Sequence, residues 1–216
     1  ERVRELLKIA PRLANASWDW GLGDWETPLG AAAHTGRRAI AELLLEHGAR
    51  VDVFCLAMMG NLDAVRTMIG ACPGLQRVRG PHGISLMKHA LAGGTEAKGV
   101  AEYLESLGDA DAPLIDLPLD DDQLRMYAGM YAFGDRASDR FEIFAREKVR
   151  GLAVRRAARK VGDTPSPLNL LHLGEHAFYP AGAPEAHLRF TVEGGRATRV
   201  AITTPAPLCE ARRADV

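Results

Sequence analysis

Cysteine is scarce in this chain. Cys55, Cys72 and Cys209 are the whole supply, scattered, odd in number and without a CxxC pair. That argues against a disulfide framework and a thiolate metal cluster. It is the usage of reduced thiols, so a cytoplasmic location is expected. Long apolar runs are missing too. No stretch reaches membrane-spanning length and no secretory leader is visible, so no membrane association is expected. Charge of one sign is also lacking. The formal net charge is −1, which gives no field to draw in nucleic acid. The basic residues of 146–160 (Arg146, Lys148, Arg150, Arg155, Arg156, Arg159, Lys160) carry no interleaved aromatics and read as a solvated strand and loop.

Aromatic residues are few as well, at 6%. Yet all three tryptophans, Trp18, Trp20 and Trp25, fall in one stretch, SWDWGLGDWETPLG. What remains is an ordinary globular balance, 47% apolar and 25% charged. The chain is long enough for one large or two small domains.

The hydrophobic period divides the chain. Over 1–111 it is helical. ERVRELLKIAPRLANA places Val3, Leu6, Leu7 and Ile9 at helical spacing before Pro11. TPLGAAAHTG opens with a capping Thr27, continues with Pro28 at the first helical position and stops at Gly36. RRAIAELLLEHG is amphipathic and ends at Gly48. The same order recurs around Gly60 and again around Gly94. Residues 112–122, APLIDLPLDDD, are rich in proline and aspartate and predict a joint. Over 123–216 the period becomes two. RMYAGMYAFG, DRFEIFA, VRGLAVRRA, LNLLHLG, HAFYPAG, HLRFTVEGG and RATRVAITTP predict short strands. The expected architecture is therefore α+β with two segregated domains. A helical stack (1–111) is followed by a linker (112–122) and a small antiparallel β domain (123–216), forming a curled sheet or partial barrel.

The helical half resembles ankyrin repeats. Thr27-Pro28-Leu29, Ala32-Ala33, Gly36, Leu43-Leu44-Leu45 and Gly48-Ala49-Arg50-Val51-Asp52 match the family pattern in order. The interval from Gly36 to Gly60 is well short of the family's ~33 residues. The expected units are a partial one (1–16), a good one (17–52), a truncated one (53–74) and a degenerate one (75–111). The C-terminal half resembles the small β domain appended to some penicillin-binding-like serine hydrolases, through Tyr127-Ala128-Gly129-Met130-Tyr131 and Phe178-Tyr179-Pro180. That likeness draws the eye to Ser85-Leu86-Met87-Lys88, the S-x-x-K pattern of such enzymes. The companion K-T-G is absent, and Ser85 aligns with the Thr27 cap, so a capping role is expected.

The ankyrin resemblance implies recognition of a protein partner on a concave face. The leading expectation is a binding module that uses this face and the tryptophan-rich finger. Trp18 and Trp20 alternate about Asp19 and are expected at the functional surface, whereas Trp25 is expected to pack. His34, Met58, Met59, Lys88 and His89 are expected along the groove. The alternative is an enzyme or small-molecule binder with an aromatic-lined pocket between the ankyrin groove and the β domain. It would use His34 or His89 as catalytic acid–base groups, and Tyr127, Tyr131, His172 and Tyr179 from the β half. His172 and His176 have the i, i+4 spacing of a helical metal pair, but Gly174 between them predicts a turn. No metal and no cofactor is expected.

Overall fold

A computed structural model describes residues 1–146, 150–156, 167–204 and 206–214. Lys148, Arg159 and Lys160 of the basic cluster lie outside the described residues. The chain forms two compact units, one of residues 1–19 and 24–113, the other of residues 20–23 and 114–216.

The first unit is a row of helix pairs. It opens with α1 (Arg2–Ile9) and a 3-10 turn over Pro11–Asn15. A two-stranded hairpin follows, β1 (Trp18–Asp19) with β2 (Trp25–Glu26). Then come α2 (Pro28–His34) with α3 (Arg38–Glu46), α4 (Val53–Met58) with α5 (Leu62–Ala71), and α6 (Leu86–Ala92) with α7 (Lys98–Leu107). The first helix of each pair starts the same way. Thr27 accepts from the Gly30 N–H, Asp52 from the Cys55 N–H and Ser85 from the Lys88 N–H. Each cap satisfies one of the donors a helix N-terminus leaves open. Ser85 is 1% exposed, and its Oγ accepts at 3.3 Å.

Small residues on the inner helices let the pairs stack closely. Ala32, Ala33, Ala57 and Ala90 are buried between Leu29, Leu44, Met58, Leu86 and Leu104. Asn15 holds the N-terminal piece to the next unit, donating to the Gly48 carbonyl at 2.7 Å and accepting from the Arg50 N–H at 2.8 Å.

The second unit is a closed eight-stranded antiparallel barrel. Its strands are β3 (Gly129–Ala132), β4 (Arg140–Arg146), β5 (Gly151–Arg156), β6 (Leu168–Gly174), β7 (Ala177–Pro180), β8 (His187–Glu193), β9 (Arg196–Thr204) and β10 (Ala206–Arg213). This closes further than the expected curled sheet or partial barrel. The difference is β10, which the sequence pattern does not show as a strand, because Pro207, Glu210 and two arginines dilute its alternation. It pairs with β9 along its length and with β3 at Arg212↔Ala132 and Arg213↔Tyr131, so neither edge is left open.

Of the residues expected as linker, 114–122 belong to this unit and 112–113 to the first. The Ile115 carbonyl accepts from the Tyr179 hydroxyl, the Leu117 N–H donates to the His172 carbonyl, and Leu119 is buried. A helix absent from the sequence-based expectation, α8 (Asp121–Tyr127), begins in a capping box of Asp120 and Gln123.

The Tyr127–Tyr131 motif has a structural explanation here. Tyr131 donates to the Tyr127 carbonyl at 2.8 Å, and the Tyr127 hydroxyl bonds His176 Nδ1 at 2.7 Å. Gly129 lies against the Arg213 guanidinium, where a Cβ would sit 2.8 Å from it. That guanidinium donates to the carbonyls of Met126, Ala128 and Ala197, fastening the end of α8 to the closing strands.

Candidate functional site

The hairpin ahead of α2 reverses the usual distribution of polar and apolar residues. Asp24 and Glu26 are buried, at 1% and 8% exposure, while Trp25 between them is 58% exposed and Trp18 is 60% exposed. Ionised carboxylates are costly to bury without partners. Here histidines partner them. Asp24 Oδ1 accepts from the His82 backbone N–H at 2.9 Å, and its Oδ2 meets His82 Nδ1 at 3.0 Å. Glu26 Oε1 lies 2.8 Å from His34 Nε2 and 3.6 Å from His82 Nε2.

Three elements bring these groups together. Glu26 ends β2, directly before the Thr27 cap. His34 is the last residue of α2, two turns of helix away on the same unit. His82 sits in the 3-10 turn before α6 with φ at +60°, a left-handed backbone that costs a non-glycine residue about 1–2 kcal/mol. Among the described residues, Glu26, His34 and His82 form a group of metal-competent donors whose ligand atoms lie within 4.8 Å of one another.

His89 stands behind them. Its ring is 6.3 Å from that of His34, edge to face, and 4.7 Å from Phe54. Nδ1–H donates to the Ser85 carbonyl at 2.8 Å. Nε2 is buried with no hydrogen-bond partner among the described residues. Burial pushes this imidazole's pKa below its ordinary value, against a smaller opposing effect of the Ser85 carbonyl, so the ring is held neutral.

The other expected site residues are placed differently. Met58 is fully buried among Leu7, Leu29 and Leu44, so it is core and not groove lining. Met59 is half-buried against the same cluster, and its carbonyl accepts from Arg38. Lys88 is exposed on α6. Trp25, expected to pack, faces solvent because Asp19↔Trp25 pairing turns Glu26 inward in its place. Trp20, expected at the surface, is half-buried against the barrel core together with Leu22. Tyr127, Tyr131, His172 and Tyr179 are buried in the barrel unit, 0–6% exposed, rather than presented at a surface. His172 stacks on Phe178 inside strand β6, whereas His176 follows Gly174 in the exposed turn. Sequence reasoning left Asp24, Glu26 and His82 out of the site. The D-x-E alternation next to a helix cap is the signal that points to the two acids.

A family model matches the stretch that holds both acids, His34 and two of the three caps. Residues 24–55 match the ankyrin repeat. The ankyrin match covers the Thr27 and Asp52 caps and three of the four clustered acid and histidine residues; His82 comes from a later turn. No curated protein and no solved structure matches the chain. The ankyrin match does not reach the barrel, so the likeness of that half to hydrolase β domains has only its own motifs behind it. No helix among the described residues is long and apolar enough to cross a membrane.

Proposed function

We propose that the ankyrin unit is a protein-recognition module whose contact residues include Trp18 and Trp25. Ankyrin repeats generally mediate protein interactions, and residues 24–55 carry that match. The single observation behind the site is the hairpin. Its two strands present two exposed indoles, on opposite faces by their register, while its acids are turned inward. Tryptophan is a favoured interface anchor because it buries a large area at low entropic cost. His34 and Lys88 extend the surface from the inner helices; Trp20 is not part of it.

The test is residue-specific. A photo-crosslinking amino acid at position 18 or 25 should capture the partner, and the same group at exposed Arg66 on α5 should not. With that partner purified, Trp18→Ala and Trp25→Ala should each weaken binding about 30-fold, the equivalent of about 2 kcal/mol per anchor. The melting temperature should stay nearly constant. Wild-type affinity in both variants defeats the reading.

A second reading, a small-molecule binder, is favoured by one observation in the barrel unit. A cavity of about 300 Å3 is lined by Trp20, Leu22, Phe133, Phe141, Val154 and Leu168, with Arg140 and Arg156 among its polar residues. Eight-stranded barrels have just enough interior to hold one small ligand. A small apolar carboxylate matches this lining. Titration with a medium-chain fatty acid should then change the fluorescence of Trp20, and Phe141→Ser should abolish the change. Saturation-free titration of the wild type removes this reading.

A further inference from the structure

The carboxylate–histidine cluster is built for more than an ion pair. Asp24 holds the His82 backbone with one oxygen and His82 Nδ1 with the other, at 2.9 and 3.0 Å. This fixes the proton of a neutral His82 on Nδ1 and leaves the Nε2 lone pair on the side of Glu26 Oε1. The 3.6 Å between them is longer than a hydrogen bond. His34 brings its own Nε2 to the same oxygen at 2.8 Å. Two imidazole nitrogens and one carboxylate oxygen thus converge within 4.8 Å.

We propose that Glu26, His34 and His82 bind a divalent transition-metal ion of the zinc type, with Asp24 as the group that orients His82. Zinc takes imidazole nitrogen at about 2.0–2.1 Å and carboxylate oxygen at about 2.0–2.2 Å, so a tetrahedral set spaces its ligand atoms by about 3.3–3.5 Å. The two separations here, 2.8 and 3.6 Å, fall on either side of that value, and adjustments of under 1 Å suffice. Two imidazoles select against calcium and magnesium, which take oxygen ligands. A carboxylate on the far nitrogen of a ligating histidine is the usual outer support of such sites, and Asp24, fully buried as a side chain, provides it.

The surroundings suit an ion with one position left open. The side chain of His82 is 32% exposed and that of His34 17%, whereas that of Glu26 is 9% exposed, so the cluster is reached from one side. A fourth ligand comes from that side, as water or as a side chain of a bound protein. The edge of the His34 ring is braced by His82 at 5.6 Å and by buried His89 at 6.3 Å between centroids. The site draws on both ends of the stack's middle: β2 and α2 supply two ligands and the turn before α6 supplies the third. Metal binding therefore cross-links two helix pairs that are not consecutive in the chain.

Isothermal titration of the full chain, first freed of metal with a chelator, with zinc chloride tests this directly. A single saturable site per chain is expected, with a rise in melting temperature at saturation. Asp24→Asn should weaken binding about 10–100-fold, and His34→Gln and His82→Gln by more than that. His176→Gln should leave it unchanged. Because a variant at a buried site can lose its fold, the wild-type chain carries an independent readout. Its 15N imidazole resonances should shift on zinc addition at Nε2 of His34 and His82, and hold still at His47, His172 and His187. The absence of saturable binding to the wild type overturns the proposal. So do zinc-dependent shifts confined to other histidines, or wild-type affinity in folded His34→Gln and His82→Gln.

Discussion

Phe178→Ala should destabilise the barrel by about 3–5 kcal/mol, the cost of a large-to-small change in a close-packed core. The ring is fully buried. It meets Tyr127 at 4.9 Å, His172 at 4.7 Å and Phe190 at 5.5 Å between centroids, in edge-to-face and stacked arrangements. Removing it leaves a void on three sides and takes the stacking partner from His172, whose ring keeps the Nδ1 contact to the Leu117 carbonyl at 3.3 Å. Native stabilities are only about 5–15 kcal/mol, so such a loss takes a large part of the total. Urea denaturation followed by barrel tyrosine signals reads the effect. Phe133→Ala, at a position 51% exposed, is the control and should cost under about 1 kcal/mol. Equal losses at the two positions would contradict the packing described.

Gly60→Ala should be among the costliest glycine substitutions in the helical unit. Two penalties combine. The backbone at Gly60 is left-handed, φ +75°, which costs an L-residue about 1–2 kcal/mol. An added Cβ would also fall on the carbonyl oxygen of Glu96, so the turn over Gly94–Ala97 must move. Overpacking of this kind adds about 1–3 kcal/mol. Gly48→Ala separates the two penalties. Its φ is +78°, yet nothing lies within 4 Å of the new Cβ, so only the conformational cost applies. Thermal melts of the pair should differ by the packing cost. Identical melts would mean that the helix pairs are not as close at Gly60 as the structure has them.

The caps mark how much of the helical unit was legible. Thr27 and Ser85 stand out locally because a cap needs only its own side chain and an N–H three residues on. Asp52 has the same role but was hidden at the end of the Gly48–Asp52 motif. In the β half, seven strands showed by alternation. The eighth, Ala206–Arg213, did not, because one buried residue, Ala211, is all its core-facing pattern amounts to among the described residues. It is a strand through hydrogen bonds donated and accepted on both sides, and neighbours of that kind are not written in a local window.

The hairpin marks where local reading misassigned side chains. From the sequence, Trp25 is the residue closest to the helix entry and the natural one to pack. Pairing of Asp19 with Trp25 fixes the opposite parity and turns Asp24 and Glu26 inward. Polar residues win the interior there because His34 and His82 are waiting for them, and His82 lies far along the chain.

By itself, then, the sequence determined what depends on neighbours a few positions apart: caps, glycine stops, helical and two-residue periods, and the change of regime near residue 112. The tertiary structure decided what depends on which distant segments meet. It closed the barrel by placing β10 beside β3, buried the tyrosine motif under Arg213, and separated Trp20 from its two neighbours. It also gathered Glu26, His34 and His82, whose convergence arises because the packed helix pairs set the turn before α6 against the end of α2, a proximity in space with no counterpart in chain order.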